Sequence, residues 1–269
     1  YRVKFMINKA LSVILISSVL SGCMTTIQNS ASGLSRKQFL LIPSQDYYIE
    51  ANKGYVVLMN NYKNSGALDR KPELTKRVVN IAKKITAQVQ DIKPETNQWT
   101  WELHVINTTT INAFCVGQGK MAIFEGMIKT LNLNDDEIAA IIGHEIAHAL
   151  LEHGREKASR NLVSDLALGQ IGGNAQILAY FGTKLGLTLP HSRSQESEAD
   201  LLGLEIAAKA GFNPDAAITL WKKVGDQQKG QNNKLSQMLS THPMPQKRME
   251  DLALAAPKFR PFYLATLHK

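Results

Sequence analysis

The sequence predicts a mainly α protein carrying a small antiparallel sheet, an α+β fold. Three observations predict it. Apolar residues recur at 3.6-residue spacing after Lys71-Pro72, three short alternating stretches lie between Trp99 and Phe124, and a capped helical pattern runs from Asn134 through His144-Glu145-Ile146-Ala147-His148.

The chain opens at Tyr1, with Met6 as a candidate start, so residues 1–5 read as an upstream extension. From Met6 a lysine, Lys9, precedes an apolar run from Ala10 to Leu20, and Leu20-Ser21-Gly22-Cys23 follows. That pattern is a short, cleaved export signal over residues 1–22 rather than a spanning helix. Residues 23–35, rich in Thr, Ser, Asn and Gly, read as a flexible tether, and residues 36–269 as a single domain. Leu74, Val78, Ile81, Ala82, Ile85 and Val89 then mark a packing helix that Lys93-Pro94 stops. Trp99 to Asn107, Ile111 to Val116 and Lys120 to Phe124 read as strands, the last two joined by the turn Gly117-Gln118-Gly119. Asn134 supplies an N-cap, Asp135 and Asp136 an acidic first turn and Glu137 the reciprocal half of a capping box, so a helix starts near Asp135. Its buried face is Ile138, Ile141, Ile142, Ala149 and Leu150.

Between residues 161 and 189 apolar side chains alternate with glycines, but Asp165, Gln170, Asn174, Gln176 and Lys184 interrupt them. No run approaches the ~20 residues a membrane span needs, which leaves helices packed on the central one. A further helix is predicted from about Ser192 to Ala210, closed by Gly211; another starts at Asn213-Pro214 and ends near Asp226. The polar stretch 226–240 reads as a loop, and Pro245 to Ala255 as a last helix. No internal repeat is present, and no paired-helix array follows.

Net charge is +8 over 269 residues, with Arg2, Lys4 and Lys9 in the leader. The remaining basic residues are scattered and belong to no nucleic-acid module, so a solvated surface or contact with anionic lipid is expected, and no nucleic-acid partner. Cys23 and Cys115 are the two cysteines. Leu-Ser-Gly-Cys resembles the bacterial lipoprotein signal box, which implies lipid on Cys23, a membrane anchor, and, with Met24 next, the outer membrane. Cys115 is then the remaining thiol, a small buried hydrophobe in a strand.

His144 and His148 lie one helical turn apart and project from one face, a spacing that suits one zinc ion, with Glu145 beside them as general base. A hydrolytic zinc site needs a third protein ligand. His104 falls in a strand, His191 in a turn and His268 at the end; His153 lies roughly 140° off the metal face and reads as structural. Glu196 and Asp200 share a helical face on which Glu196 could ligate and Asp200 orient a histidine, while Glu198 points away.

The HEIAH segment, Glu196-xxx-Asp200, Asn112-Ala113-Phe114 and Thr241-His242-Pro243 together resemble the HtpX-like, CAAX-prenyl-endopeptidase-type zinc metallopeptidases over about residues 70 to 255. With the lipoprotein signal, the resemblance is to their periplasmic branch of BepA-type and LoiP-type envelope proteases. It implies the gluzincin arrangement: His144, His148 and Glu196 on zinc, Glu145 as base, and His242 donating to the oxyanion or occupying the open site at rest. It further implies an edge strand for extended peptides, placed at Lys120, Met121, Ala122, Ile123 and Phe124. Gly117-Gln118-Gly119 departs from the Pro-Gly-Gly of many such chains. The expected partners are unfolded or misfolded polypeptides and a membrane. A lipid-anchored chaperone for outer-membrane proteins, with zinc stabilising its fold, is the alternative.

Overall fold

A computed structural model describes residues 23–24, 26–27, 30–167, 190–229, 233–243 and 246–268. The expected signal over 1–22 and most of the apolar stretch 161–189 lie outside the described residues. Two short strands, β1 (Cys23–Met24) and β2 (Gln38–Phe39), pair antiparallel and are followed by the long helix α1 (Ser44–Asn64). α2 (Pro72–Thr86) carries proline at its first position, where a missing N–H costs nothing, and buries Val78, Ile81, Ala82 and Ile85 as its periodicity predicts.

β3 (Glu102–Ile106), β4 (Ala113–Val116) and β5 (Lys120–Phe124) form one sheet in the order β3-β5-β4. The sheet is mixed rather than antiparallel: β5 pairs antiparallel with β4 and parallel with β3. Alternating polarity identifies a strand but says nothing of its partner or direction. The β4–β5 turn uses Gly117 (φ 54°) and Gly119 (φ 82°) in left-handed conformations. The outer side of β3 is bonded to residues 67–69, through Asn107 N to Ala67 O and Asp69 N to Val105 O. Among the described residues this leaves β4 with the open edge.

After α3 (Glu125–Thr130) comes α4 (Asp135–Leu150), whose capping box is formed in both halves: Glu137 N donates to Asn134 Oδ1 at 2.9 Å and Asn134 N to Glu137 Oε2 at 3.0 Å. α4 is buried nearly all round, between the sheet, α2, α6 (Arg193–Lys209) and α7 (Ala216–Lys229). α5 (His153–Ala167) follows α4 across Glu152, a left-handed residue with φ 51°. α8 (Ser236–Thr241) and α9 (Gln246–Thr266) complete the order.

Three readings are corrected. The stretch 226–240 is largely helical, because α7 continues to Lys229 and a 3-10 turn at Asn233–Leu235 leads into α8. The last helix runs on to Thr266 through Pro257 and Pro261. The tether reading fails for residues 30–32, which are bonded to α6: Ser30 Oγ, Ala31 N and Ser32 N donate to the fully buried Glu205 at 2.6, 3.0 and 2.9 Å. A buried carboxylate must be satisfied, and polar composition alone does not reveal that residues 30–32 share that task with Lys209, whose Nζ lies 2.6 Å from Glu205 Oε1.

Candidate active site

α4 and α6 cross almost in backbone contact. A Cβ on Gly203 would lie 2.9 Å from His144 N, and one on Gly143 would lie 2.8 Å from Gly203 O, so glycine at both positions brings the helices together. The crossing faces the first turn of α6 toward His144 and His148. His144 Nε2 and His148 Nε2 lie 3.0 Å apart, and Glu196 contributes Oε2 at 3.5 Å from the first and Oε1 at 3.3 Å from the second. Donors about 2.0–2.2 Å from one tetrahedral zinc stand roughly 3.3–3.6 Å from one another, so the three groups fit a single ion after small side-chain shifts. Glu196 Oε2 is buried, with Arg248 Nη1 at 2.6 Å as its nearest cation, so the carboxylate is kept ionised as a ligand must be. Two imidazoles and a carboxylate suit zinc better than magnesium or calcium.

Asp200, one turn beyond Glu196, places Oδ1 3.0 Å from His144 Nδ1, a close ionic contact rather than an aligned hydrogen bond. Arg248 of α9 grips Asp200 with Nε and Nη2, each at 2.8 Å, reaches Glu196 Oε2 with Nη1 at 2.6 Å, and lies 4.4 Å above the Trp221 ring. Burial opposes charge on His144, but Asp200 and Glu196 outweigh it and raise the ring's pKa to about 10. Burial likewise opposes charge on Glu196, yet His242, His144 and His148 hold it well below the ordinary carboxylate range. The arrangement is built for positive charge.

Glu145 sits beside the histidine pair. Burial raises its pKa above the ordinary carboxylate value, against the pull of His242 and His144, and it accepts the backbone N–H of Cys115. That N–H belongs to the open edge of β4, so the carboxylate lies where a strand added to β4 would pass. The expected substrate strand Lys120–Phe124 is corrected accordingly: β5 is the middle strand, with both edges spent on β3 and β4. The cleft between β4 and the α4–α5 corner is lined by Asn112–Gly117, Tyr47, Tyr48, Glu145, His148 and His242. Cys115 also faces this cleft, with burial raising its thiol well above the ordinary value. His242 brings Nδ1 to 3.0 Å from Glu196 Oε1 and 3.4 Å from His144 Nε2, and Nε2 to 3.5 Å from Glu145 Oε1.

Four residues around this centre have no role there assigned to them by the sequence reading alone. Arg248 had a signal: two buried carboxylates on one face require a cation. His153 was set aside by extending the α4 helix past its end, but α4 stops at Leu150 and the left-handed Glu152 turns the chain, which returns His153 Nδ1 to 2.9 Å from His148 Nδ1. Glu198 does point away from the metal position, and its Oε2 lies 3.0 Å from His153 Nε2. His191, placed in a turn, has its ring 4.0 Å from that of His148. No local pattern marks it.

A histidine pair on one helix, a glutamate from a second helix completing three donors and a buried carboxylate between them and an open strand edge define a metallopeptidase. The family description "Peptidase family M48" matches residues 72–256. The chain belongs to peptidase family M48, whose members are zinc-dependent. It is 38% identical over 156 residues to the mitochondrial metalloendopeptidase OMA1 of Schizosaccharomyces pombe, covering 56% of this chain and 45% of that protein. With the mitochondrial metalloendopeptidase OMA1 of Bos taurus it shares 30% over 238 residues, 83% of this chain and 45% of the relative. With the beta-barrel assembly-enhancing protease of Escherichia coli K12 it shares 25% over 242 residues, 82% and 46% of the two chains. The chain thus spans about half or less of the curated relatives it matches.

Proposed function

We propose that this protein is a zinc metalloendopeptidase of the bacterial cell envelope that degrades misfolded or misassembled polypeptides, anchored by lipid on Cys23. The observation that carries the peptidase reading is Glu145, buried beside a three-donor set and bonded to the open edge of β4. His144, His148 and Glu196 are the ligands, and Asp200 with Arg248 orients His144. Zinc held there supplies Lewis acidity, polarising the scissile carbonyl and acidifying the attacking water.

The chain's own groups supply the rest. A substrate pairs its main chain with Ala113–Val116, which selects extended, unfolded segments with little regard to side chain. Glu145 takes the proton of the attacking water and delivers it to the leaving amine; its raised pKa suits both halves of that transfer. His242, 3.5 Å from Glu145 and within the donor cluster, donates to the oxyanion when swung outward and closes the site when swung in.

The envelope assignment is supported by Leu20-Ser21-Gly22-Cys23 and by the likeness to a beta-barrel assembly-enhancing protease. The OMA1 relatives are mitochondrial by name. Among the described residues no helix is long and apolar enough to cross a membrane.

The test is Glu145→Gln. The variant is expected to bind zinc as wild type does and to lose cleavage of casein and of an unfolded β-barrel precursor by about 10²–10⁴-fold. Undiminished cleavage would overturn the peptidase reading and favour the chaperone. Cys23→Ser is expected to release the protein from bacterial membranes, and continued attachment would overturn the anchor.

A further inference from the structure

His144 has a carboxylate directly behind it, whereas the ring nitrogen behind His148 meets another imidazole. Ligation fixes the direction of that contact. A His148 ring that turns the Nε2 lone pair to a metal carries its hydrogen on Nδ1, so it donates to His153 Nδ1 at 2.9 Å. His153 then carries its hydrogen on Nε2 and donates to Glu198 Oε2 at 3.0 Å. The reverse tautomer of His153 would face His148 with a second N–H and place the ligand's hydrogen on the wrong nitrogen. The Glu198 carboxylate, which can only accept, selects the tautomer that leaves His148 free to ligate.

Glu198 is itself fixed from outside the family-matched region. Arg36 donates to it through Nε at 2.6 Å and Nη2 at 3.0 Å, and to Glu156 of α5 through Nη1 at 2.7 Å and Nη2 at 2.8 Å. One guanidinium thus bridges α5 and α6. Its segment is held by the bonds of residues 30–32 to Glu205 and by Gln38 Nε2, which donates to Leu151 O at 2.6 Å just beyond the end of α4. The family match begins at residue 72.

We infer that Arg36 is a positioning residue for the metal ligand His148, acting through Glu198 and His153, so that the segment preceding the family domain is part of its metal centre. The inference rests on the zinc-site reading, and metal affinity tests it without reference to proteolysis. Arg36→Met in the full chain is expected to weaken zinc binding about tenfold by chelator competition and to alter the visible spectrum of the cobalt-substituted protein, since groups behind ligands typically govern 10–100-fold in affinity. Arg36→Lys recovers part of the loss, because an ammonium cannot hold two carboxylates in fork geometry. In a Glu198→Leu background, Arg36→Met adds no further loss.

A purely structural Arg36 would lower thermal stability and leave zinc affinity and spectrum unchanged. Zinc affinity within twofold of wild type for Arg36→Lys and Arg36→Met, or losses that add in the Glu198→Leu background, overturns the inference alone. Wild-type protein that binds no zinc overturns the metal centre and the inference with it. Arg36→Lys and Glu198→Leu each carry the affinity test if Arg36→Met does not fold.

Discussion

Gly203→Ala tests whether the α4–α6 crossing sets the metal geometry. The added Cβ would lie 2.9 Å from His144 N, 3.0 Å from His144 Cα and 3.1 Å from Gly143 C, all backbone atoms of the ligand-bearing helix. Relaxed contacts of this kind sit at about 3.5–4.0 Å, so the helices must part by roughly 0.5–1 Å. Metal sites tolerate about 0.2 Å. Glu196 and Asp200 ride on one helix and His144 and His148 on the other, so the separation falls directly between the ligands. Overpacking costs about 1–3 kcal/mol, and alanine returns ~1 kcal/mol of helix propensity, leaving the protein folded. Zinc affinity measured by chelator competition is expected to fall at least tenfold, with a melting temperature only a few degrees lower. Wild-type zinc affinity in a folded Gly203→Ala protein would refute the argument.

Three further outcomes follow from the buried charges. Arg248→Met leaves Asp200 and Glu196 buried without their guanidinium, a loss of about 3–5 kcal/mol in thermal unfolding, and added zinc should raise the variant's melting temperature more than that of wild type; equal zinc effects would count against the pairing. Burial raises Glu145, so in the metal-free protein its carboxyl should ionise above the usual carboxylate value when followed by NMR titration against Glu145→Gln; ionisation at or below the usual value would show that burial does not set its protonation. Glu156 opposes the cost of burial with Arg36 and Gln195 and is lowered to about 2. A depressed carboxylate contributes stability that is full above its unfolded value and is lost as pH falls from about 4.5 to about 2. Glu156→Gln should therefore flatten the loss of stability across that window in acid unfolding, and an unchanged slope would exclude the contribution.

Local chemistry made much of this legible. The Asn134–Glu137 capping box, the first-turn proline of α2 and the glycine turn before β5 are each written in a few adjacent residues, and each forms where the pattern places it. HEIAH and Glu196-xxx-Asp200 were legible for the same reason, because helical periodicity alone aligns both pairs. What stayed hidden depends on partners distant in the chain. The order β3-β5-β4, which moves the open edge from β5 to β4, is decided by how the loop after β3 crosses the sheet. α1, Ser44–Asn64, shows why a helix escapes notice: its buried contacts, Tyr47, Ala51, Tyr55 and Met59, form a narrow stripe on an otherwise exposed surface. His153 is structural, as its position past the metal face implies, but its contact with His148 depends on one left-handed residue, Glu152, which turns the chain at the end of α4.

The charges at the centre also explain why these particular groups occur together. Glu196 is buried against His144 and His148, Asp200 against His144 and Glu145 against His242, and Arg248 balances one of the three carboxylates. Lys157, whose ammonium is opposed by burial but drawn toward the charged form by Glu196 and Glu145, and a proton on His144, favoured by its pKa of about 10, offset the remaining negative charge. Binding a dication requires His144 to release that proton, so zinc affinity must rise with pH while His144 titrates. His148, pushed well below its ordinary value by burial, is already neutral and gives up nothing. The two ligands on one helix are thus prepared differently: His144 is held in charge by Asp200, and His148 is held in orientation by His153. Substituting Asp200 by Asn should accordingly flatten the pH dependence of zinc affinity, whereas substituting His153 should lower affinity at every pH. The same pH slope in both variants would contradict this division of roles.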